Sequence, residues 1–261
     1  MTTQGIQPYD LIAEFYDEDM GVTNPGLDIA FYRALARRTH EPVLELGCGT
    51  GRITLPLLQD GHRVDALDSS SAMLRRLEAK AADAHSDRLR IHQCDMARFD
   101  FPRKYGCVLC PFSAFYYVVD DRERHALLDR VLRSLSPGGL FALDGFVPKA
   151  EVLRRPDEHV YNDYCRRRAD GTTLERRRTI AKNLETQTDR VTRIYRVRGP
   201  DGSALRTVEV TTIVRYFYHE ELQRLLADRG YEIIETGSDF VSPYREGGTT
   251  VYFVSRPAVT A

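Results

Sequence analysis

The stretch VLELGCGTG, residues 43–51, places a carboxylate, Glu45, in a short apolar run. Glycines follow at every second position, Gly47, Gly49 and Gly51, with Cys48 between the first two. Glycines at the tip of a strand let the backbone turn sharply and come close to a ligand. The dinucleotide fingerprint spaces them G-x-G-x-x-G and aims a helix amino end at a pyrophosphate. Here the spacing is G-x-G-x-G, and a carboxylate two residues ahead repels phosphate but suits an ammonium or sulfonium charge. Asp68, at the end of the next apolar run, offers its oxygens to both hydroxyls of a ribose. In QCDM, Asp95 can take an adenine amino group and Met96 can pack on the ring. A cationic amino-acid end, a ribose and an adenine, with no phosphate, describe S-adenosylmethionine.

Such residues meet only if each ends a strand of one sheet. From residue 27 to about 146, strand and helix patterns alternate. LDIAFYRALARR has helical spacing, VLELG is a strand, and RITLPLLQDG is a helix closed by Gly61. RVDALD is a second strand, and the serines at 69 to 71 can cap the helix that follows it. LRIHQCD and YGCVLCPF are further strands, DRERHALLDRVLRSL is a helix, and the turn Ser136-Pro137-Gly138-Gly139 leads into the strand GLFALDGF. Strict alternation predicts an α/β fold with a parallel sheet covered on both faces. Residues 151–217 are rich in Thr, Val, Tyr and Arg, with turn signals at Ala169-Asp170-Gly171 and Gly199-Pro200-Asp201-Gly202. They predict an antiparallel β insertion of three to five strands. The expected organisation is a cofactor-binding core, residues 1–150 and 218–261, interrupted by this insertion.

With these motifs in place, the chain resembles the class I S-adenosylmethionine-dependent methyltransferases. VLELGCGTG resembles their first motif, LDSSSAML the second, CDM the third, VLCPFSAF the fourth and LSPGGLFALD the post-core motif. The opening YDLIAEFYDEDM is similar to the lid of small-molecule members, including sugar N,N-dimethyltransferases and related natural-product enzymes. The resemblance implies a Rossmann-like, mostly parallel seven-stranded sheet with a closing antiparallel strand. It implies cofactor contacts at Tyr16, Glu45, Gly47, Cys48, Gly49, Gly51, Asp68, Ser69, Met73, Asp95, Met96, Cys110, Pro111 and Phe112. Phe115, Tyr116 and Tyr117 would line the space into which the methyl projects, where aromatic faces tolerate a cationic centre. Tyr9 and Tyr117 are expected near the reacting atom, with His219 as a further candidate to take a proton. Several sugar N-methyltransferases have a histidine near the position of Tyr117; a tyrosine is a poor base at neutral pH, so the acceptor is expected to lose its proton to water. The expected reaction is methyl transfer to nitrogen or oxygen of a small polar metabolite or natural-product intermediate. The alternatives are a protein of this fold that binds the cofactor without methylating, and a nucleic-acid or protein methyltransferase.

Composition narrows these alternatives. Lys+Arg 37 against Asp+Glu 38 gives a net charge of −1 over 261 residues, which disfavours a nucleic-acid partner. The fourth strand also lacks the Asn/Asp-Pro-Pro-aromatic run of base N-methylating enzymes. No run approaches the ~20 apolar residues needed to cross a bilayer, and MTTQGIQPYD has no signal-peptide pattern. The five cysteines are few and odd in number, as in reduced intracellular proteins, so a cytoplasmic location is expected. Cys107 and Cys110 lie an odd number apart on a strand and cannot chelate together, so no metal is expected. The triplets Arg166–Arg168 and Arg176–Arg178 read mostly as a solvated face, with attraction for an acidic substrate as the lesser alternative. Free edges of the inserted strands offer a surface for pairing as a homodimer.

Overall fold

The computed structural model describes residues 7–23, 26–81, 87–241 and 243–258. Runs apolar on both faces become the inner strands: β1 (Val43–Leu46), β2 (Val64–Asp68) and β4 (Tyr105–Cys110) are buried almost throughout. β3 (Leu89–Gln93) lies at one edge. Beyond β4 come β5 (Leu135–Phe146), β11 (Thr250–Pro257) and β10 (Tyr231–Ser238), giving the order β10-β11-β5-β4-β1-β2-β3. The pairs β1–β2, β1–β4, β2–β3 and β4–β5 are parallel, whereas β11 runs antiparallel to both β5 and β10. This is the mostly parallel seven-stranded sheet, with its reversed strand, that the motifs implied. The strand order changes direction between β1 and β4, which places a crevice beyond their carboxyl ends.

Helices cover both faces. Leu35 of α2 (Leu27–Ala36), Leu57 of α3 (Thr54–Gln59) and Leu77 of α4 (Ser71–Ala81) pack on one side with Val43, Ala66 and Cys107. Leu127 and Val131 of α5 (Asp121–Ser134) and Leu222 of α7 (His219–Asp228) pack on the other with Leu44, Val108 and Cys110. Cys107 and Cys110 therefore point to opposite faces of β4. At the start of β5 the structure departs from the expected separate turn. Leu135 already pairs with Tyr105, and the Ser136–Gly139 segment is absorbed as a register shift within the strand, with Gly138 at φ +75°.

A short helix, α6 (Ala150–Arg154), leads to a second sheet of β6 (Tyr161–Arg167), β7 (Thr173–Asn183), β8 (Thr188–Arg198) and β9 (Ala204–Arg215). It is antiparallel and follows chain order. Gly171 and Gly202 take positive φ in two of its hairpins, where Asp170 and Asp201 accept hydrogen bonds from Thr172 and Ser203. Its inner face packs Leu174, Tyr195 and Val210 against Ile12 and Phe15 near the amino terminus. Phe15 stacks on Tyr195 with ring centroids 5.1 Å apart.

Only half of the two arginine triplets, Arg166, Arg167 and Arg177, forms a solvated face. Strand alternation turns Arg176 and Arg178 inward while Arg177 points out. Arg176 is buried between Asp19 and Asp163, and Arg178 also pairs with Asp163. Arg168 holds Glu18 of α1 (Ala13–Thr23) at 2.8 Å, and Arg166 and Arg167 are exposed. Of the carboxylates that hold these guanidinium groups, Glu18 and Asp19 belong to a helix distant in sequence and Asp163 to the neighbouring strand β6, pairings that a local reading of charge runs does not register.

Candidate active site

The loop after β1 is pinned to β2. The N–H groups of Gly47 and Cys48 donate to the carbonyl of Leu67 at 2.8 and 2.9 Å, and Gly49 N–H donates to Asp68 Oδ2 at 2.8 Å. The other Asp68 oxygen accepts from Ser70 N–H at 2.8 Å. Gly47, Gly49 and Gly51 all have positive φ, but for different neighbours. A Cβ on Gly47 would sit 2.9 Å from Ala114, and one on Gly49 would sit under the Tyr16 ring. Gly51 instead lets α4 approach, since its Cβ would meet Leu77 at 2.4 Å. Gly47 and Gly49 form a wall of a cavity of about 460 Å³, whereas Gly51 does not face it.

Asp68, Ser69 and Met73 line one side of this cavity, and Asp95 and Met96 line another. Pro111, Phe112 and Tyr117 complete it towards β4. Asp68 is buried enough that its pKa rises, against the pull of the Ser70, Gly49 and Ser69 backbone N–H groups. Gly49 and Ser70 donate to its two oxygens and Ser69 N–H is also turned towards them, and since a carboxylate offers about four lone-pair sites, room remains for a hydroxyl donor. Tyr9 and Tyr16 close the cavity from above, with ring centroids 6.2 Å apart.

The Tyr-Asp steps of the lid divide their work. Tyr9 and Tyr16 face the cavity, while the following aspartates fasten the lid to its floor. Asp10 Oδ1 accepts from Ser70 Oγ at 2.6 Å and from Ala72 N–H at 3.0 Å, at the amino end of α4. Asp17 Oδ1 accepts from Thr50 Oγ1 at 2.5 Å and from Lys80 Nζ at 2.8 Å. Sequence reasoning singled out the tyrosines and missed Asp10 and Asp17, although their seven-residue repeat was visible.

Several expected residues lie behind the cavity wall. Glu45 is 1% exposed, accepts a 2.5 Å hydrogen bond from Thr54 Oγ1 of α3, and has its pKa pushed up to about 8 by burial. Cys48 and Cys110 are buried core thiols, and burial raises both pKa values. Phe115 and Tyr116 do not line the methyl-facing space. The tight helix Ala114–Tyr117 turns both into the core, where they pack on Phe217, and leaves Ala114 and Tyr117 on the cavity. His219 is also displaced from the chemistry. It stacks on Tyr244 with centroids 3.8 Å apart and on Phe253 at 5.0 Å, and its Nε2 lies 3.1 Å from Thr236 Oγ1. It lines neither cavity, and burial lowers its pKa. Its place at the start of α7 is set by packing.

A second cavity of about 490 Å³ adjoins the first and shares Phe112 and Tyr117 with it. Asp144 and Phe146 of β5 form part of its wall, and Ile180, Val191 and Val214 of the antiparallel sheet form another. At the shared wall the Tyr9 and Tyr117 hydroxyl oxygens lie 2.5 Å apart. Burial, reinforced by Tyr117 alongside, raises the Tyr9 pKa well above the usual phenol value, so Tyr9 acts as a neutral hydroxyl. Asp144 supports the dividing turn. It accepts from Tyr32 Oη at 2.5 Å, Phe112 N–H at 2.7 Å and Ser113 N–H at 3.2 Å. Phe112 and Ser113 both have positive φ, a conformation that costs non-glycine residues energy. Sequence reasoning missed Asp144, although it follows the pattern of a carboxylate near a strand's carboxyl end. It also missed Arg193, which no local motif marks.

Fold and site together define a class I S-adenosylmethionine-dependent methyltransferase, with a cofactor-sized cavity at the switch point of the sheet. A methyltransferase-domain family model matches residues 43–139. The chain is 31% identical over 157 residues to the uncharacterized methyltransferase GK2543 of Geobacillus kaustophilus, covering 59% of this chain and 70% of that protein. It is 32% identical over 139 residues to the cypemycin N-terminal methyltransferase of a Streptomyces species, a match that spans 53% of each chain. Among solved structures, the CcbJ methyltransferase from Streptomyces caelestis superposes with a TM-score of 0.80 at 25% identity, over 97% of this chain and 99% of that one. The chain belongs to the S-adenosylmethionine-dependent methyltransferases and is an enzyme of that class, with S-adenosylmethionine as cofactor. Among the described residues, no cluster of His, Cys, Asp and Glu is arranged to hold a metal, and no helix is long and apolar enough to cross a membrane.

Proposed function

We propose that this enzyme methylates a nitrogen or oxygen atom of a small polar molecule held in the second cavity. The observation that carries this reading is the Tyr9–Tyr117 hydroxyl pair, which stands where the two cavities meet. In this reading, residues 1–150 and 218–261 hold the cofactor, and residues 151–217 roof the acceptor. Asp68 would accept the ribose hydroxyls, Met73, Asp95 and Met96 would surround the adenine, and the loop from Gly47 to Gly49 would receive the amino-acid end. Glu45, buried beneath that loop, would act on the ammonium only through the loop's backbone.

The bound cofactor supplies a methyl group on a sulfonium, whose leaving group is a neutral thioether. The protein's task is then alignment and exclusion of water. Tyr16 and Tyr9 close the cofactor cavity, and the paired hydroxyls of Tyr9 and Tyr117 hold the acceptor atom against the methyl. Among the described residues, no carboxylate or imidazole is hydrogen-bonded to either hydroxyl, so in this reading the acceptor's proton passes to water. An acceptor cavity of about 490 Å³ and a net charge of −1 favour a small molecule over nucleic acid. The N-terminal methyltransferase among the relatives supports nitrogen as the acceptor atom. The outer edge of β6 has no strand partner in the sheet order and is the surface for pairing with a second copy.

Tyr117→Phe tests this arrangement, because it keeps the ring and removes only the hydroxyl. Affinity for S-adenosylhomocysteine should stay within about twofold, while turnover falls tenfold or more, roughly 1.4 kcal/mol in the barrier. Calorimetry and S-adenosylhomocysteine release measure the two quantities. Unchanged turnover would reduce Tyr117 to a passive wall.

A further inference from the structure

The inward face of the antiparallel sheet holds more positive charge than its neighbours neutralise. Arg176, Arg178 and Arg193 share two carboxylates, Asp19 and Asp163. Arg176 engages both, and Arg178 engages Asp163 through Nη1 at 3.0 Å. Arg178 Nε has no hydrogen-bond partner although it is buried. Arg193 has no ion pair with a carboxylate among the described residues: its side-chain hydrogen bond is Nη1 donating to Thr212 Oγ1 at 2.9 Å, and Asp19 acts on it only at longer range. Arg178 and Arg193 are direct cross-strand neighbours on β7 and β8. Like charges so placed repel each other, and a guanidinium cannot escape by losing its proton. Both line the second cavity, and Arg193 stands beside the Tyr117 and Tyr9 side chains.

The acidic residues of the same cavity do not cancel this charge. Asp28 is held by Arg52 through two hydrogen bonds. Asp144 already accepts three hydrogen bonds, and Asp239 accepts from Thr249 and Thr250. Asp189 lies four residues from Arg193 along β8, about 13 Å away at the usual strand rise. Ile180 and Val191 pair across the intervening stretch. Arg178 and Arg193 therefore form a cationic patch on the sheet wall of the cavity, next to the apolar pair Ile180 and Val191, while Asp28, Asp144, Asp189, Asp239 and Lys149 line other parts of it.

We propose that the methyl acceptor is an acid, whose carboxylate or phosphate group is seated between Arg178 and Arg193. Both guanidinium groups can donate two parallel hydrogen bonds to such oxygens. The anion replaces the missing counter-charge and places the acceptor atom, a few bonds away, at the Tyr9–Tyr117 pair. This rests on the proposed role of the second cavity as the acceptor site.

The test is a calorimetric titration of the full chain, with and without saturating S-adenosylhomocysteine. Three probe series of matched length are used: amino carboxylic acids, aminoalkyl phosphates and neutral amino carboxamides. One anionic series should bind at least tenfold more tightly than the carboxamides, and its identity distinguishes carboxylate from phosphate. Arg193→Gln should remove that preference while leaving S-adenosylhomocysteine affinity within about twofold. Arg193→Lys, which keeps the charge but loses the fork, should fall between. Equal or tighter binding of the carboxamides, no anion binding, or a preference that survives in Arg193→Gln overturns the proposal. S-adenosylhomocysteine release with a carboxamide in place of an acid would overturn the acid while sustaining the methyltransferase reading. Acid-selective binding with no methyl transfer to any series would do the reverse.

Discussion

Asp68→Ala is expected to weaken binding of S-adenosylmethionine and S-adenosylhomocysteine about 100-fold, or roughly 2.7 kcal/mol. Two losses combine. The carboxylate lines the cofactor cavity with lone pairs to spare, and charge-assisted hydrogen bonds to ligand hydroxyls are worth about 1.5–3 kcal/mol. It also fixes the glycine loop by accepting from Gly49 and Ser70, so its removal leaves two backbone donors without their acceptor. The loop would still be tied to β2 by the Leu67 carbonyl, which limits the effect on folding to about 1–2 kcal/mol. Asp68→Asn keeps an acceptor oxygen and should lose only about tenfold. Calorimetric titration of the three proteins measures the series. Binding by Asp68→Ala within threefold of the parent would show that the ribose lies elsewhere.

Asp144→Ala should have the largest effect on stability. Tyr32 Oη and the N–H groups of Phe112 and Ser113 would lose their common acceptor in a buried setting, and two positive-φ residues would lose the contact that holds them. Breaking a buried network of this kind costs about 3 kcal/mol. For a chain of this size that corresponds to a fall in melting temperature of roughly 6–12 °C. Asp144→Asn should cost less, and its comparison with the parent carries a pH signature. Burial pushes the Asp144 pKa up to about 6, above the ordinary aspartate value of about 3.9. Between those values the folded state binds more protons than the unfolded one, so the parent loses stability as pH rises through about 6. The non-titrating Asn variant does not follow, and the stability advantage of the parent should shrink over that window. Thermal melts across pH 4 to 8 measure this, and a parent advantage that grows with pH would contradict the assignment.

The α/β core was legible because each element carries its own signal. Continuous apolar runs mark the inner strands, Gly61 closes α3, and the paired turn signals mark the hairpins of the second sheet. The lining of the first cavity was legible for the same reason, since Asp68, Asp95 and the first two glycines follow strands whose ends the chain order brings together. What local pattern could not supply was side-chain direction within irregular segments. The tight helix Ala114–Tyr117 sends Phe115 and Tyr116 into the core and leaves Ala114 and Tyr117 on the first cavity, a split that depends on the fit against Phe217. His219 lies at a helix start whose aromatic neighbours, Tyr244 and Phe253, come from elsewhere in the chain. Arg176 and Arg193 take their meaning from Asp19 and the tyrosine pair, more than 75 residues away in sequence.

The central claim is that the chain moves a methyl group from S-adenosylmethionine to a small molecule through the junction at Tyr9 and Tyr117. Its most direct test is to incubate the chelator-treated enzyme with methyl-labelled S-adenosylmethionine and a low-molecular-mass cell extract, then to follow the label. The account predicts label in a low-mass acceptor, S-adenosylhomocysteine in equal amount, and loss of both in Tyr117→Phe. S-adenosylhomocysteine formation with no labelled small molecule, or label confined to protein or nucleic acid, would contradict it.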